Sequence, residues 1–411
     1  MTAVRPSYSA TSTSTPIAQR PPLNGHKSSS GGDGIARTKI LLLGLRRAGK
    51  TSIQQVLFNN LPPKQTFYLE TTMRIAKHTI DTVIPLEIWD CPGNITIDAL
   101  APLSQFSTMI FVIDIRDLYN QPISKLVEFI EAAYHDNPNI SLEVFVHKAE
   151  KLQEDDKIEN FRQIHERVSD RLLDISPEYE QMQLNFHLTS VYDHSLHEAF
   201  SRVLHKLIGS LPYLEELLNV FCSNSQSPKA FLFDTRSRLY IATDASPVDS
   251  ATHNLCCDYL LMLNSFGPLY KSISASPPRL RQPVPATPPP SASSSASLLS
   301  PSSSPAPVTP TTATPLHPSY PHTPSPTSPT TLKSKPKDLF YPSAATSLNS
   351  SAPGSGTTLT YHLITPQLAL LALLPTSVYE TRRGLVEYNV VYFREGIQEI
   401  SDVEQEVRGG G

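Results

Sequence analysis

Only four cysteines occur in 411 residues, at Cys91, Cys222, Cys256 and Cys257, and none has Cys-x-x-Cys spacing. That leaves neither a disulfide framework nor a cysteine zinc cluster, and they read as reduced intracellular thiols. Apolar residues are also scarce, at 39%. The longest strongly apolar run, residues 368–374, is far short of the roughly 20 residues that span a bilayer. Lys and Arg number 34 against 38 Asp and Glu, so no overall basic field exists for nucleic acid or anionic lipid. Residues 1–36 lack the apolar core of a secretory signal, and neither a Met-Gly start nor a terminal Cys-a-a-X box is present. The expectation is a chain that binds no nucleic acid and reaches a membrane only through partners.

Proline is abundant, with 38 residues, and 20 of these lie between Pro277 and Pro353 among Ser, Thr and Ala. Such composition cannot offset the entropy of ordering by burial. The chain therefore divides into a disordered leader (1–36), an α/β domain (37–212), a small α+β domain in two pieces (213–271 and 357–403), a disordered insertion (272–356) and a flexible tail (404–411). Between Pro277 and Lys337 the tract carries no acid and many Ser-Pro or Thr-Pro steps, among them Thr309-Pro and Ser325-Pro. Proline-directed phosphorylation there and an inert spacer both fit that composition.

In the first domain, aliphatic runs at 39–43, 84–89, 109–113, 142–146 and 184–188 alternate with helix-period segments at 123–134, 161–173 and 196–207. Strand and helix in alternation predict a mainly parallel sheet covered on both faces. In the second domain, 230–233 and 239–243 predict a hairpin, 250–266 a helix capped by Ser250, 357–365 and 368–374 two strands, and 384–400 a last helix.

The strongest motif follows the first strand. Gly44, Leu45, Arg46, Arg47, Ala48, Gly49, Lys50 and Thr51 fit G-x-x-x-x-G-K-[ST], and Ser52 follows. Glycines let the backbone wrap a phosphate, its N–H groups point inward, and the next helix presents its positive end. Lys50 is expected to reach the β- and γ-phosphates, and Thr51 to meet Mg²⁺. Two acids follow strands and could serve the metal. Asp90, three residues before Gly93, is preferred over Asp114, which has no neighbouring acid to act as an ATPase base. Thr72 lies where a threonine could close on Mg²⁺ and the γ-phosphate. His147, Lys148 and Glu150 follow the fourth predicted strand, where a carboxylate could read guanine and a lysine stem cover it. Ser190 ends the next strand, in place to offer a backbone contact. Trp89 reads as a packed aromatic.

Taken together, residues 44–52, 69–72, 89–93, 146–148 and 188–194 resemble the Rag GTPases of the C/D class. The likeness continues through 229–234 and 240–249. It implies a P-loop small-GTPase domain followed by a roadblock-like or longin-like dimerisation domain, with GTP or GDP and Mg²⁺ as cofactors. It further implies an obligate heterodimer with a Rag A/B-type subunit, docked on a lysosomal or vacuolar scaffold. From the cytoplasmic side of that membrane it would relay amino-acid sufficiency to TOR complex 1, with GDP in the signalling-competent C/D-type subunit. Two positions depart from the family pattern. Asn94 replaces the glutamine that orients the attacking water and is one methylene shorter, implying very slow hydrolysis. Glu150 replaces the base-reading aspartate and is one methylene longer. A nucleotide-locked scaffold subunit and a P-loop ATPase using Asp114 stand as the alternative readings.

Overall fold

The computed structural model describes residues 37–82, 84–117, 120–270, 341–348 and 356–409. The leader and the Ser-Pro and Thr-Pro steps lie outside the described residues.

The first sheet contains β1 (Thr38–Gly44), β2 (Ala76–Asp81), β3 (Pro85–Asp90), β4 (Thr108–Asp114), β5 (Ser141–His147) and β6 (Leu184–Thr189). Their order is β2-β3-β1-β4-β5-β6, parallel throughout except for β2, which runs antiparallel to β3. Four helices cover it: α1 (Lys50–Phe58), α2 (Asn120–Asp136), α3 (Glu154–Ile175) and α4 (Ser195–His205). The aliphatic runs of β1 and β4 fit this layering, because residues of alternate parity face different helix pairs. Leu41, Leu43, Phe111 and Val144 pack with α2 and α3, whereas Ile40, Leu42, Val112 and Phe145 pack with α1 and α4. Strand order reverses at β1, which opens a crevice beyond the carboxyl ends of the strands. Gly44, Asp90, Asp114, His147 and Thr189 each end a strand there.

Next come α5 (Leu211–Ser225), β7 (Lys229–Asp234), β8 (Tyr240–Thr243), α6 (Ser250–Tyr270), β9 (Ser343–Leu348), β10 (Thr357–Leu363), β11 (Leu368–Pro375) and α7 (Thr376–Gly409). The second sheet is antiparallel, ordered β8-β7-β11-β10-β9. One face packs Phe231, Phe233, Tyr361 and Leu371 against Cys256 and Leu260 of α6. The other face, with Leu232, Ile241 and Leu370, shares a continuous core with Leu218 and Phe221 of α5, Phe393 of α7 and Leu204 of α4.

Several expectations need correction. The insertion assigned to 272–356 contains β9, which pairs with β10 from Thr357↔Leu348 to His362↔Ser343. The tail assigned to 404–411 is helical through Gly409, and α7 begins at Thr376 with a kink at Arg382. Helix α5 runs across the expected boundary at 212/213. Helix α6 is capped by Asp249 instead of Ser250: the Asp249 carboxylate accepts from the Thr252 N–H at 3.0 Å and from the Thr252 hydroxyl at 3.1 Å. All four cysteines are free thiols. Among the described residues no helix is long and apolar enough to cross a membrane.

Candidate functional site

The loop between β1 and α1 is held by two glycines in conformations that side chains rarely adopt. Gly44 has φ +137°, and a Cβ there would lie 2.3 Å from the Val112 carbonyl oxygen; Gly49 has φ +115°, with the His147 ring 2.6 Å from the equivalent point. Lys50 is buried and folds back over the loop, donating to the carbonyls of Gly44 at 2.8 Å and Leu45 at 3.0 Å. Burial pushes its pKa down, opposed by the charge of Asp90. Helix α1 starts at Lys50 with neither a side-chain cap nor an acid in its first turn. Its free N–H groups and positive end are thereby left to an anion. Arg46 and Arg47 are exposed, Ala48 is buried, and Leu45, Gly49 and Ser52 are half-buried.

The two candidate acids stand in different surroundings. Thr51 Oγ1 donates to Asp90 Oδ2 at 2.6 Å, Thr72 Oγ1 donates to the same oxygen at 3.1 Å, and the two hydroxyls are 2.7 Å apart. Asp90 is 1% exposed, and its Oδ1 is buried without a partner. Three oxygens converging beside an unsatisfied carboxylate oxygen suit a hard divalent cation. Asp114 is engaged elsewhere: it accepts from the backbone N–H and guanidinium of Arg116 and from Lys148 Nζ at 2.6 Å. Those hydrogen bonds hold its carboxyl below the usual range despite burial.

On the base side, β4, β5 and β6 set Asp114, His147 and Thr189 abreast. His147 is buried, with Nδ1 2.9 Å from Thr189 Oγ1, and burial pushes its pKa down to about 3. It therefore stays neutral and props Gly49 from behind. Lys148, at φ +65°, joins this strand end to the P-loop by donating to the Arg47 carbonyl at 2.6 Å as well as to Asp114. Glu150 Oε2 accepts from Ser190 Oγ at 2.7 Å. The N–H of Ser190 is committed inside the fold, where it donates to Ser195 Oγ at 3.0 Å as α4 begins.

A cavity of about 500 Å³ opens on the other side of the loop, lined among others by Arg46, Thr72, Gly93, Asn94, Asp117 and Gln121. Asn94 is exposed. Trp89 belongs to the core, with Nε1 donating to Glu87 at 2.6 Å and its ring edge-on to Phe106. Thr189, Asp117 and Gln121 escaped the sequence reading. Strand register would have flagged Thr189, but nothing local marks the other two.

The profile of the Gtr1/RagA G protein conserved region matches residues 39–260. GTP-binding protein gtr2 of Schizosaccharomyces pombe is 44% identical over 237 residues, 56% of this chain and 75% of that protein. Ras-related GTP-binding protein C of Mus musculus is 46% identical over 237 residues, and the chain spans 59% of that protein's length. GTP-binding protein gtr1 of S. pombe is 25% identical over 226 residues, 53% of this chain and 71% of that protein. The chain thus belongs to the Gtr1/RagA family of GTPases. Its higher identity to relatives named gtr2 or protein C than to gtr1 puts it in the Rag C/D class.

Proposed function

We propose that this chain is the guanine-nucleotide switch subunit of a Rag-type heterodimer and hydrolyses GTP to GDP slowly. The observation that carries this reading is the meeting of Thr51 and Thr72 hydroxyls on one oxygen of Asp90 beneath a P-loop. Thr51, Thr72 and Asp90 would hold Mg²⁺. Bound there, the metal would neutralise charge on the phosphate oxygens. Gly44, Leu45, Arg46, Arg47, Ala48 and Gly49 would wrap the phosphates with backbone N–H groups, and Ser52 would extend that cradle into α1. Lys50 would exchange its two loop carbonyls for phosphate oxygens, a better partner for an ammonium. Thr72 would tie its segment to the triphosphate and release it afterwards. Gly93 would offer its N–H to the γ-phosphate. His147 and Lys148 would brace the base pocket, Glu150 would accept from guanine, and Ser190 would hold that carboxylate in place.

The second sheet with α6 and α7 would form a roadblock-like dimerisation domain. Exposed Leu385, Tyr388, Val391 and Tyr392 on α7 would supply an apolar face for a Rag A/B-type partner. Docked through that partner on a lysosomal or vacuolar scaffold, the cytoplasmic chain would relay amino-acid sufficiency to TOR complex 1. Asn94 favours a second reading, a nucleotide-locked subunit without measurable hydrolysis, because its amide is short of the reach of glutamine.

Single-turnover hydrolysis of radiolabelled GTP on the chain co-purified with a Rag A/B-type subunit separates the two. A slow rate that rises about tenfold or more in Asn94→Gln supports the switch, by analogy with the rate effects of water-positioning groups. No turnover in either protein would sink it in favour of the locked subunit.

A further inference from the structure

We propose that Arg46 is a specificity-determining residue, selecting the triphosphate over the diphosphate by placing its guanidinium on the γ-phosphate. This rests on the nucleotide-binding reading given above and extends it. The P-loop carries three cations, and the structure separates their tasks. Lys50 is turned inward onto the carbonyls of Gly44 and Leu45. Arg47, at φ +66°, turns its carbonyl to Lys148 on the base side. Arg46 is exposed and, among the described residues, has no ion pair or side-chain hydrogen bond. It stands on the wall of the 500 Å³ cavity and is, among the described residues, the only cation in a lining whose only acid is Asp117.

The cavity lies on the terminal-phosphate side of the loop, since Thr72 and Gly93 form its other walls. Gly93 rests directly on Arg46: a Cβ at Gly93 would come within 2.2 Å of the Arg46 backbone nitrogen. A nucleotide ending at the β-phosphate stops beneath the loop, whereas a third phosphate enters the cavity that Arg46 lines. There a guanidinium offers paired N–H donors matched to phosphate oxygens, and its fixed charge answers the added negative charge. Without that phosphate, the same guanidinium stays in water and contributes nothing to the diphosphate.

The test is displacement of a fluorescent GDP from the chain by GDP and by the non-hydrolysable analogue GTPγS, for wild type, Arg46→Ala, Arg46→Lys and Lys50→Ala. The expected result is a loss of about tenfold or more in GTPγS affinity relative to GDP affinity for Arg46→Ala, and an intermediate ratio for Arg46→Lys. A melting temperature equal to that of wild type shows that the variant is folded. Equal losses for both nucleotides, or GTPγS affinity unchanged or improved, would overturn the assignment. If wild type binds neither nucleotide, or Lys50→Ala binds both normally, the underlying nucleotide reading fails and Arg46 falls with it.

Discussion

At Gly49 two independent facts forbid a side chain, the positive φ and the His147 ring 2.6 Å from where a Cβ would sit. Gly49→Ala should therefore leave the second domain folded and weaken GDP binding by at least about tenfold, since strain of about 1–3 kcal/mol falls on the loop itself. Isothermal titration checks this, and wild-type affinity in the variant would show that the loop adapts. The two loop glycines were legible in the sequence because their spacing marks the turn between β1 and α1, and Asp90, preferred there over Asp114, is the acid that the structure sets against the Thr51 and Thr72 hydroxyls. What spacing could not supply was contact across strands. His147 was expected at the nucleotide, yet its partner is Thr189, which only the β5/β6 register brings beside it. Nor could spacing reveal that the Ser190 N–H is already taken by Ser195.

The strands that were easiest to read are those buried on both faces. Every residue of β4 is buried, and its aliphatic run reflects this. Two edge strands were missed for the opposite reason: β2 alternates half-buried and exposed positions in Ala-Lys-His-Thr-Ile-Asp, and β9 does so in Ser-Ala-Ala-Thr-Ser-Leu. Those small polar residues share the composition of the neighbouring Pro/Ser/Thr tract, so only pairing with β10 distinguishes them. As an edge, β9 shields the hydrogen-bonding groups of β10. Replacing residues 343–348 with a Gly/Ser linker should expose that edge and raise self-association. Dynamic light scattering on warming would show growth at a lower temperature than for wild type, and unchanged behaviour would argue that β9 is dispensable.

Across the whole molecule, the two sheets share one core through α4 and α5, and histidines line the seam between α4 and α6. His194 sits 5.6 Å from His197 and 6.5 Å from His253, ring to ring, and contacts Asp258 through Nε2 at 2.9 Å. Burial holds His197 well below its ordinary value and His253 and His205 at about 4; Arg238 and Arg202 nearby push the same way. The native state therefore binds fewer protons than the unfolded chain between about pH 4 and the unperturbed histidine value of about 6.5. Stability from these groups is complete above that value and is lost as pH falls through the window. Asp234, whose pKa is raised by burial, works in the opposite sense on the acid side. The melting temperature should drop steadily from pH 7 to pH 5, and more shallowly in His197→Leu. A flat profile would contradict the assignment of neutral buried imidazoles.

Guanine-specific switching by this chain is open to a competition experiment. Fluorescent GDP bound to the chain, co-purified with a Rag A/B-type subunit, is challenged with GTP, xanthosine triphosphate and ATP, in wild type and in Lys50→Ala. The expected result is displacement by GTP alone, and loss of binding to this subunit when Lys50 is replaced. Equal displacement by ATP or xanthosine triphosphate would show that Glu150 does not read guanine, and undiminished binding in Lys50→Ala would remove the P-loop from the account.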